Sequence, residues 1–115
     1  MKIYLASPYT HELVKVQEFR FKMCNIIAGK LIRAGNIIFS PISHSHPIAN
    51  ACNLNSEAYR ELWYKQDSSF LEWCDELYVL AIGGWEKSSG VLWEISEVAK
   101  MGKPINLINM YGHFI

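Results

Sequence analysis

The stretch from Trp73 to Ile105, WCDELYVLAIGGWEKSSGVLWEISEVAKMGKPI, leaves a chain few ways to fold. Glu76 to Ile82 (ELYVLAI) is a short apolar run with the length and branching of a buried parallel strand. Gly83 and Gly84 allow a sharp turn at its end. Ser88 or Ser89 then caps a helix predicted to run to about Met101, where Gly102 stops it and Pro104 opens another strand. Strand, glycine turn, helix and strand in that order make half of a doubly wound α/β sheet, Rossmann-like or flavodoxin-like. Such sheets bind ligands in the crevice at the carboxyl ends of their strands, where this turn should lie.

The rest of the chain extends the same pattern. Lys2 to Ala6 (KIYLA) reads as the first strand and Ser7-Pro8-Tyr9-Thr10 as a turn, with Ser7 or Thr10 available to cap the next helix. That long helix is predicted from about Glu12 to Ala34, with Val16, Phe19, Met23, Ile27 and Leu31 at three- and four-residue steps. Gly35 ends it, and Asn36 to Ser40 (NIIFS) forms the second strand. Such a β-helix-β unit makes a right-handed crossover between parallel strands. Pro41 to Asn55 reads as the longest irregular segment, and Ser56 caps a helix carrying Tyr59, Leu62, Trp63, Phe70 and Trp73. Asp67 either lies inside that helix or, with Ser68 and Ser69, marks a break and a fresh cap. Asp75 fixes the turn into the strand at Glu76. Pro104 to Ile108 is the last strand, and Asn109 to Ile115 a short apolar tail. The sum is one domain over residues 1–115 with a four- or five-stranded parallel sheet.

The bounds agree. At 115 residues there is room for one core. Half the residues are hydrophobic and 19% are charged, the balance of a globular chain. A formal net charge of zero argues against a general nucleic-acid or membrane surface, while leaving room for a local phosphate site. The three cysteines, Cys24, Cys52 and Cys74, are widely spaced and form no CxxC pair, which points to reduced thiols in a cytoplasmic protein. The opening MKIYLAS is too soon interrupted for a signal peptide, and no apolar run approaches a membrane span. His44 and His46 alternate in the 41–55 segment, with Cys52 as the sole soft third ligand for a metal. A loop that lines a ligand cleft is the better reading, beside one in which backbone carbonyls satisfy the two rings. No metal or cofactor is expected.

Glu94 is the conspicuous carboxylate behind the glycine turn. Taken alone it reads as a surface glutamate on an amphipathic helix, beside Glu97 and Lys100. The run S-x-G-V-x-x-E from Ser88 to Glu94, followed by Gly102-Lys103-Pro104, resembles the signature of the nucleoside 2-deoxyribosyltransferase superfamily. It is most similar to the branch that hydrolyses deoxynucleoside 5′-monophosphates. That resemblance implies that Glu94 attacks the anomeric carbon and that Ser88, with Gly90, contacts phosphate. Asp67 to Asp75 (DSSFLEWCD) carries the superfamily's two aspartates, and the first, Asp67, stands where the family keeps its acid–base or sugar-positioning carboxylate. Ile3 to Pro8 (IYLASP) is similar to the superfamily's first strand and turn, making Tyr4 and Ser7 candidate ligand contacts. Pro8-Tyr9-Thr10-His11 departs from the pattern, which usually has an arginine there. The run FSPISHSHPIA looks like a small branch common in bacterial and phage genomes.

The chemistry suits these residues. N-glycosidic cleavage passes through an oxocarbenium-like state in which one carboxylate meets the anomeric carbon and an acid protonates the departing base. A helix N-terminus favours an anion by ~0.3–1 kcal/mol, so Glu94 is expected to stay ionised. Asp67, in an aromatic setting with Trp63 and Phe70, is expected to hold a proton for part of the cycle. The expected partner is a nucleoside or nucleotide, with Tyr4, Ser7, His44, His46, Ser88 and Gly90 as binding residues, and no nucleic-acid polymer. An apolar tail on so small a domain predicts a homodimer or higher homo-oligomer. The alternative from another class is a nucleotide-binding or sensing module that keeps the pocket without turnover.

Overall fold

The computed structural model describes residues 1–115. In chain order it contains β1 (Lys2–Ala6), α1 (Val14–Arg33), β2 (Ile37–Phe39), α2 (Pro41–Cys52), α3 (Arg60–Trp73), β3 (Glu76–Leu80), α4 (Ser89–Lys100) and β4 (Ile105–Ile108). Single 3-10 turns at Glu57–Tyr59 and Trp85–Lys87 lead into α3 and α4. The four strands make one all-parallel sheet in the order β2-β1-β3-β4. The chain leaves β1 for β2 on one side and later returns to β3 on the other. The strand order therefore reverses between β1 and β3, and a crevice opens at their carboxyl ends.

Side chains alternate across the two central strands, as the period of two requires. Ile3, Leu5, Tyr78 and Leu80 pack on one face against Met23, Cys24, Ile27 and Leu31 of α1. Tyr4, Ala6, Leu77 and Val79 pack on the other against Leu71 of α3 and Val91 and Val98 of α4. Both faces are covered, which is why these strands read as nearly continuous apolar runs. Burying one side chain such as Ile27 or Leu77 contributes about 1.5–3 kcal/mol. The alternation also sends Tyr4 toward α4.

The structure corrects several local expectations. Residues 41–52 form α2 and not an irregular loop. Ser40 is its cap, with its hydroxyl accepting from Ser43 N at 3.4 Å, and Pro41 takes the first helical position, where its missing N–H does no harm. Asn53 closes the helix in the left-handed conformation at φ 54°. Pro47 disguised this helix, since an interior proline usually argues against one. Neither Ser7 nor Thr10 caps α1. Leu13 stands at its start without a side-chain cap, and its own N–H is taken by His11 Nδ1 at 3.0 Å. The buried stripe of α1 runs through Arg20, Met23, Cys24, Ile27, Ala28 and Leu31, leaving Phe19 exposed. Asp67 lies mid-way along an unbroken α3, so it is not a cap, and Ser56 makes no side-chain cap bond. Leu62 is exposed, and Phe70 and Trp73 are only partly buried.

Other expectations hold. Asp75 fixes the turn into β3, its Oδ2 accepting from Lys2 N at 2.8 Å. The tail, read in the sequence only as an apolar segment, folds back on β4 of its own chain, where Phe114 bridges to Ile108 and Ile115 N donates to Leu107 O at 3.0 Å. No helix is long and apolar enough to cross a membrane.

Candidate active site

The glycine turn after β3 is built as its sequence requires. Gly84 has φ 91°, and a Cβ there would stand 2.6 Å from Arg20 Nη2. The 3-10 turn at Trp85–Lys87 then delivers Ser88, whose hydroxyl caps α4 by accepting from Val91 N at 3.3 Å. At the far end, the Gly-Lys-Pro run has a structural use. Gly102 turns at φ 73°, and Lys103 Nζ donates to the carbonyls of Leu71 at 2.6 Å and Glu72 at 2.7 Å, a cation on the C-terminus of α3.

Glu94 shares the buried stripe of α4 with Val91 and Val98 and is 6% exposed. A surface glutamate would lie on the other face, so the bland reading of this residue does not hold. A carboxylate occupies a core position. Its Oε2 accepts a short hydrogen bond from the Tyr4 hydroxyl. Burial pushes the Glu94 carboxyl up to about 8, with the nearby Asp67 charge adding to the rise and the Tyr4 bond opposing it. The Tyr4 hydroxyl is itself raised, first by burial and then by Glu94 and Asp67. The sequence expectation of an ionised Glu94 rested on the helix dipole, worth ~0.3–1 kcal/mol. A rise of this size corresponds to several kcal/mol at roughly 1.4 kcal/mol per unit, so burial wins over the dipole.

Asp67 projects from α3, and its Oδ1 is buried without a hydrogen-bond partner. Burial alone raises its carboxyl to about 7. Its charge reaches both Glu94 and Tyr4, so the three groups form one electrostatic unit between α3, α4 and β1.

A cavity of about 570 Å³ opens at the strand ends, with Ser7, Tyr9, His46, Ser88, Gly90 and Glu94 among its lining residues. That is the size range of small-molecule sites. Neither Tyr4, which holds Glu94, nor Asp67 is among the lining residues. His44 is elsewhere. It is exposed, packs edge-on against Phe39 with centroids 5.6 Å apart, and lines a separate shallow groove. No three His, Cys, Asp or Glu side chains are grouped so as to hold a metal ion.

Sequence reasoning missed several wall residues. Arg60 and Lys87 place two cations at the cavity, and Trp93 packs against Tyr64 with centroids 4.5 Å apart and planes tilted by 37°. Arg60 donates to Tyr64 Oη and to Glu57 Oε1 at 3.0 Å. The signal was present, because an arginine opening a helix stands against the dipole and asks for another reason. Arg20 was missed as well. It lies buried on the core stripe of α1 and donates to Thr10 O and Gly83 O, each at 3.0 Å, tying the turn after β1 to the turn after β3.

Three comparisons bear on this geometry. The model of a family described as "Domain of unknown function (DUF1937)" matches residues 1–110. No curated protein matches the chain. Among solved structures, the chain is similar to a 2-deoxyribosyltransferase from the psychrotolerant bacterium Bacillus psychrosaccharolyticus, a biocatalyst for nucleoside synthesis. The TM-score is 0.66 and the identity 26%, over 100% of this chain and 77% of that one.

Proposed function

The chain belongs to the DUF1937 family and to the nucleoside 2-deoxyribosyltransferase-like superfamily, and from that premise we propose that it cleaves or transfers an N-glycosidic bond. The substrate in this reading is a deoxynucleoside or its 5′-monophosphate. The observation that carries it is Glu94, a carboxyl on a core position of α4, held by the Tyr4 hydroxyl and facing a nucleoside-sized cavity.

In the proposed reaction the Glu94 carboxylate attacks the anomeric carbon as the bond to the base breaks. The base takes the bonding pair and a proton that the neutral Asp67 carboxyl supplies through water, since Asp67 does not itself line the cavity. The sugar then stands as an ester of Glu94. Water, or a second base, attacks the same carbon, returns Glu94 as carboxylate and gives its proton to Asp67. With burial raising Glu94 to about 8 and Asp67 to about 7, the shared proton rests first on Glu94, so the reaction draws on the minority form in which Glu94 is the anion and Asp67 the acid. The test is release of free base from a panel of deoxynucleosides and monophosphates between pH 6 and 9. No release from any member, under conditions where the panel raises the melting temperature, would end the catalytic reading.

That outcome belongs to the second reading, a nucleotide-binding or sensing module. One observation favours it. A site in which Glu94 keeps its proton at neutral pH has no anion ready to attack.

Ser88 supplies a prediction about substrate class. Aspartate caps a helix as well as serine, so Ser88→Asp should fold normally while placing an anion where a 5′-phosphate would sit. Like charges about 4 Å apart repel by roughly 1–4 kcal/mol. Affinity for monophosphates should fall by about fivefold to nearly a thousandfold, and affinity for nucleosides should barely change. Equal losses for both classes would reduce Ser88 to its capping role.

We also propose that the chain associates with itself. Tyr111, Phe114 and Ile115 remain exposed although the tail folds on β4, an apolar surface that a second subunit would cover. Light scattering should give a mass at least twice 13.2 kDa. A monomer at every practical concentration would refute this.

A further inference from the structure

Arg20 is a charged side chain on the core stripe of α1, only 8% exposed. No carboxylate stands within ion-pair distance of it. A buried cation without a counter-charge is unfavourable, and methionine would fill the same stripe without that penalty. Packing therefore does not explain an arginine here, but its partners do. Nη1 donates to Thr10 O at 3.0 Å and, more weakly, to Tyr9 O at 3.4 Å, while Nη2 donates to Gly83 O at 3.0 Å. All three acceptors are backbone carbonyls, on two turns far apart in the chain.

Those turns are the two lips of the crevice. The first follows β1 and places Ser7, Tyr9 and Thr10 at the cavity. The second follows β3 and leads through the 3-10 turn at Trp85–Lys87 to Lys87, Ser88 and Gly90, which line the same cavity. The register between β1 and β3 ends at Ala6 and Val79, and beyond that pair the Arg20 guanidinium joins the two turns. Gly84 keeps the place open for it. Its φ of 91° suits glycine, and a Cβ there would stand 2.6 Å from Nη2, well inside contact distance. A planar fork with its N–H groups in fixed directions holds two turns at one separation, which an ammonium on a flexible stem does not.

We propose that Arg20 is a positioning residue, which holds the two lips at the separation that sets a nucleoside's anomeric carbon against Glu94. This inference rests on the nucleoside reading of the cavity. Arg20 does not itself line the cavity, so it acts on a ligand only through the turns. A ligand that reaches from one lip to the other meets walls already in place. Without the staple each part of the ligand still finds its own lip, but the placement of one part relative to the other is lost. A misplacement of about 1 Å is enough to lower a rate roughly a hundredfold.

The test compares Arg20→Met, Arg20→Lys and Gly84→Ala with wild type. Hydrogen exchange reads the staple without a ligand. The amides of Leu13, Trp85 and Lys87 are each hydrogen-bonded within their own turn. In Arg20→Met all three should exchange about tenfold faster or more, while β1 and β3 keep their protection. On deoxynucleotides that release base, kcat should fall by about a hundredfold while KM rises by no more than about tenfold. Where a ligand binds without release, Kd should rise by about tenfold, because binding must then order both turns. Arg20→Lys keeps the charge without the fork and should show the same pattern in milder form; it carries the test if Arg20→Met does not fold. Gly84→Ala displaces the guanidinium, so its loss and that of Arg20→Met should not multiply in the double variant. An arginine that served the fold alone would lower the melting temperature and leave kcat, KM and Kd unchanged well below it, which overturns the proposal. So would faster exchange in one turn only, a lysine variant equal to wild type, or losses that multiply. Each of those leaves the nucleoside reading standing, whereas a wild type that binds no deoxynucleotide defeats both.

Discussion

Glu94→Gln is expected to abolish base release and, at the same time, to make the ligand-free protein more heat-stable. Glutamine keeps the size of the side chain and can still accept from the Tyr4 hydroxyl, so α4 and its packing should survive. What disappears is the negative charge that an oxocarbenium-like centre and a covalent ester both require. Such a loss is worth several kcal/mol of barrier, on the order of a thousandfold or more in rate. The stability change comes from the raised carboxyl. Glu94 moves from an ordinary 4.5 to about 8 on folding because its charged form is buried. Its folded form is therefore favoured at low pH, where the group is neutral in both states, and the advantage drains away as pH rises from about 4.5 to about 8. Glutamine, which does not titrate, loses nothing over that range. The melting temperature of the variant should match wild type near pH 4, exceed it increasingly toward pH 8, and run parallel above. A variant that retains most of the base release would remove Glu94 from the chemistry. A stability difference without pH dependence would mean that Glu94 is not a buried titrating group at all.

That coupling of activity to instability also explains which parts of the molecule could be read in the sequence. The turn, cap and strand signals around Gly83, Ser88 and Gly102 are local, and they placed Glu94 at the mouth of the crevice. The face on which Glu94 lies is equally local in principle, since Val91, Glu94 and Val98 fall on one stripe. It was obscured by a habit of assigning glutamates to water. The helix α2 was hidden because Pro47 speaks against a helix more loudly than the Ser40-Pro41 start speaks for one. Arg20 followed the same pattern as Glu94, a charge on a buried stripe, but its partners Thr10 and Gly83 lie on two distant turns that only the folded sheet brings together. The contact of Tyr4 with Glu94 spans the chain from first strand to last helix, so the bond that opposes the carboxyl's rise had no sequence signal of its own. His46 is legible as a candidate ligand, whereas its confinement between Tyr9 and Glu18 is a product of three elements meeting.

The Tyr4 bond makes the second large prediction, and its sign can be set against a partner. The hydroxyl lowers the Glu94 carboxyl while burial and Asp67 raise it. Tyr4→Phe removes the opposing influence, so Glu94 should ionise at still higher pH. A hydrogen bond to a charged group contributes roughly 1.5–3 kcal/mol, which would cost about ten- to a hundredfold in base release at pH 7. The rate should recover as the medium becomes alkaline enough to strip the proton. The fold should tolerate the change, because the ring keeps its edge contact with Phe39, centroids 5.6 Å apart, and loses only the oxygen. Asp67→Asn acts in the other direction. It removes the charge that raises Glu94, so the acidic limb of the pH profile should move down. Because Asp67 is also the proposed acid, this shift is best read with a substrate whose base departs without protonation. Two neighbours of one carboxyl should thus move the same limb in opposite directions, a pattern that general damage to the cavity does not produce. An acidic limb that stays put in Tyr4→Phe would show that the rate does not follow the ionisation of Glu94, and would leave the attack on the anomeric carbon without its nucleophile.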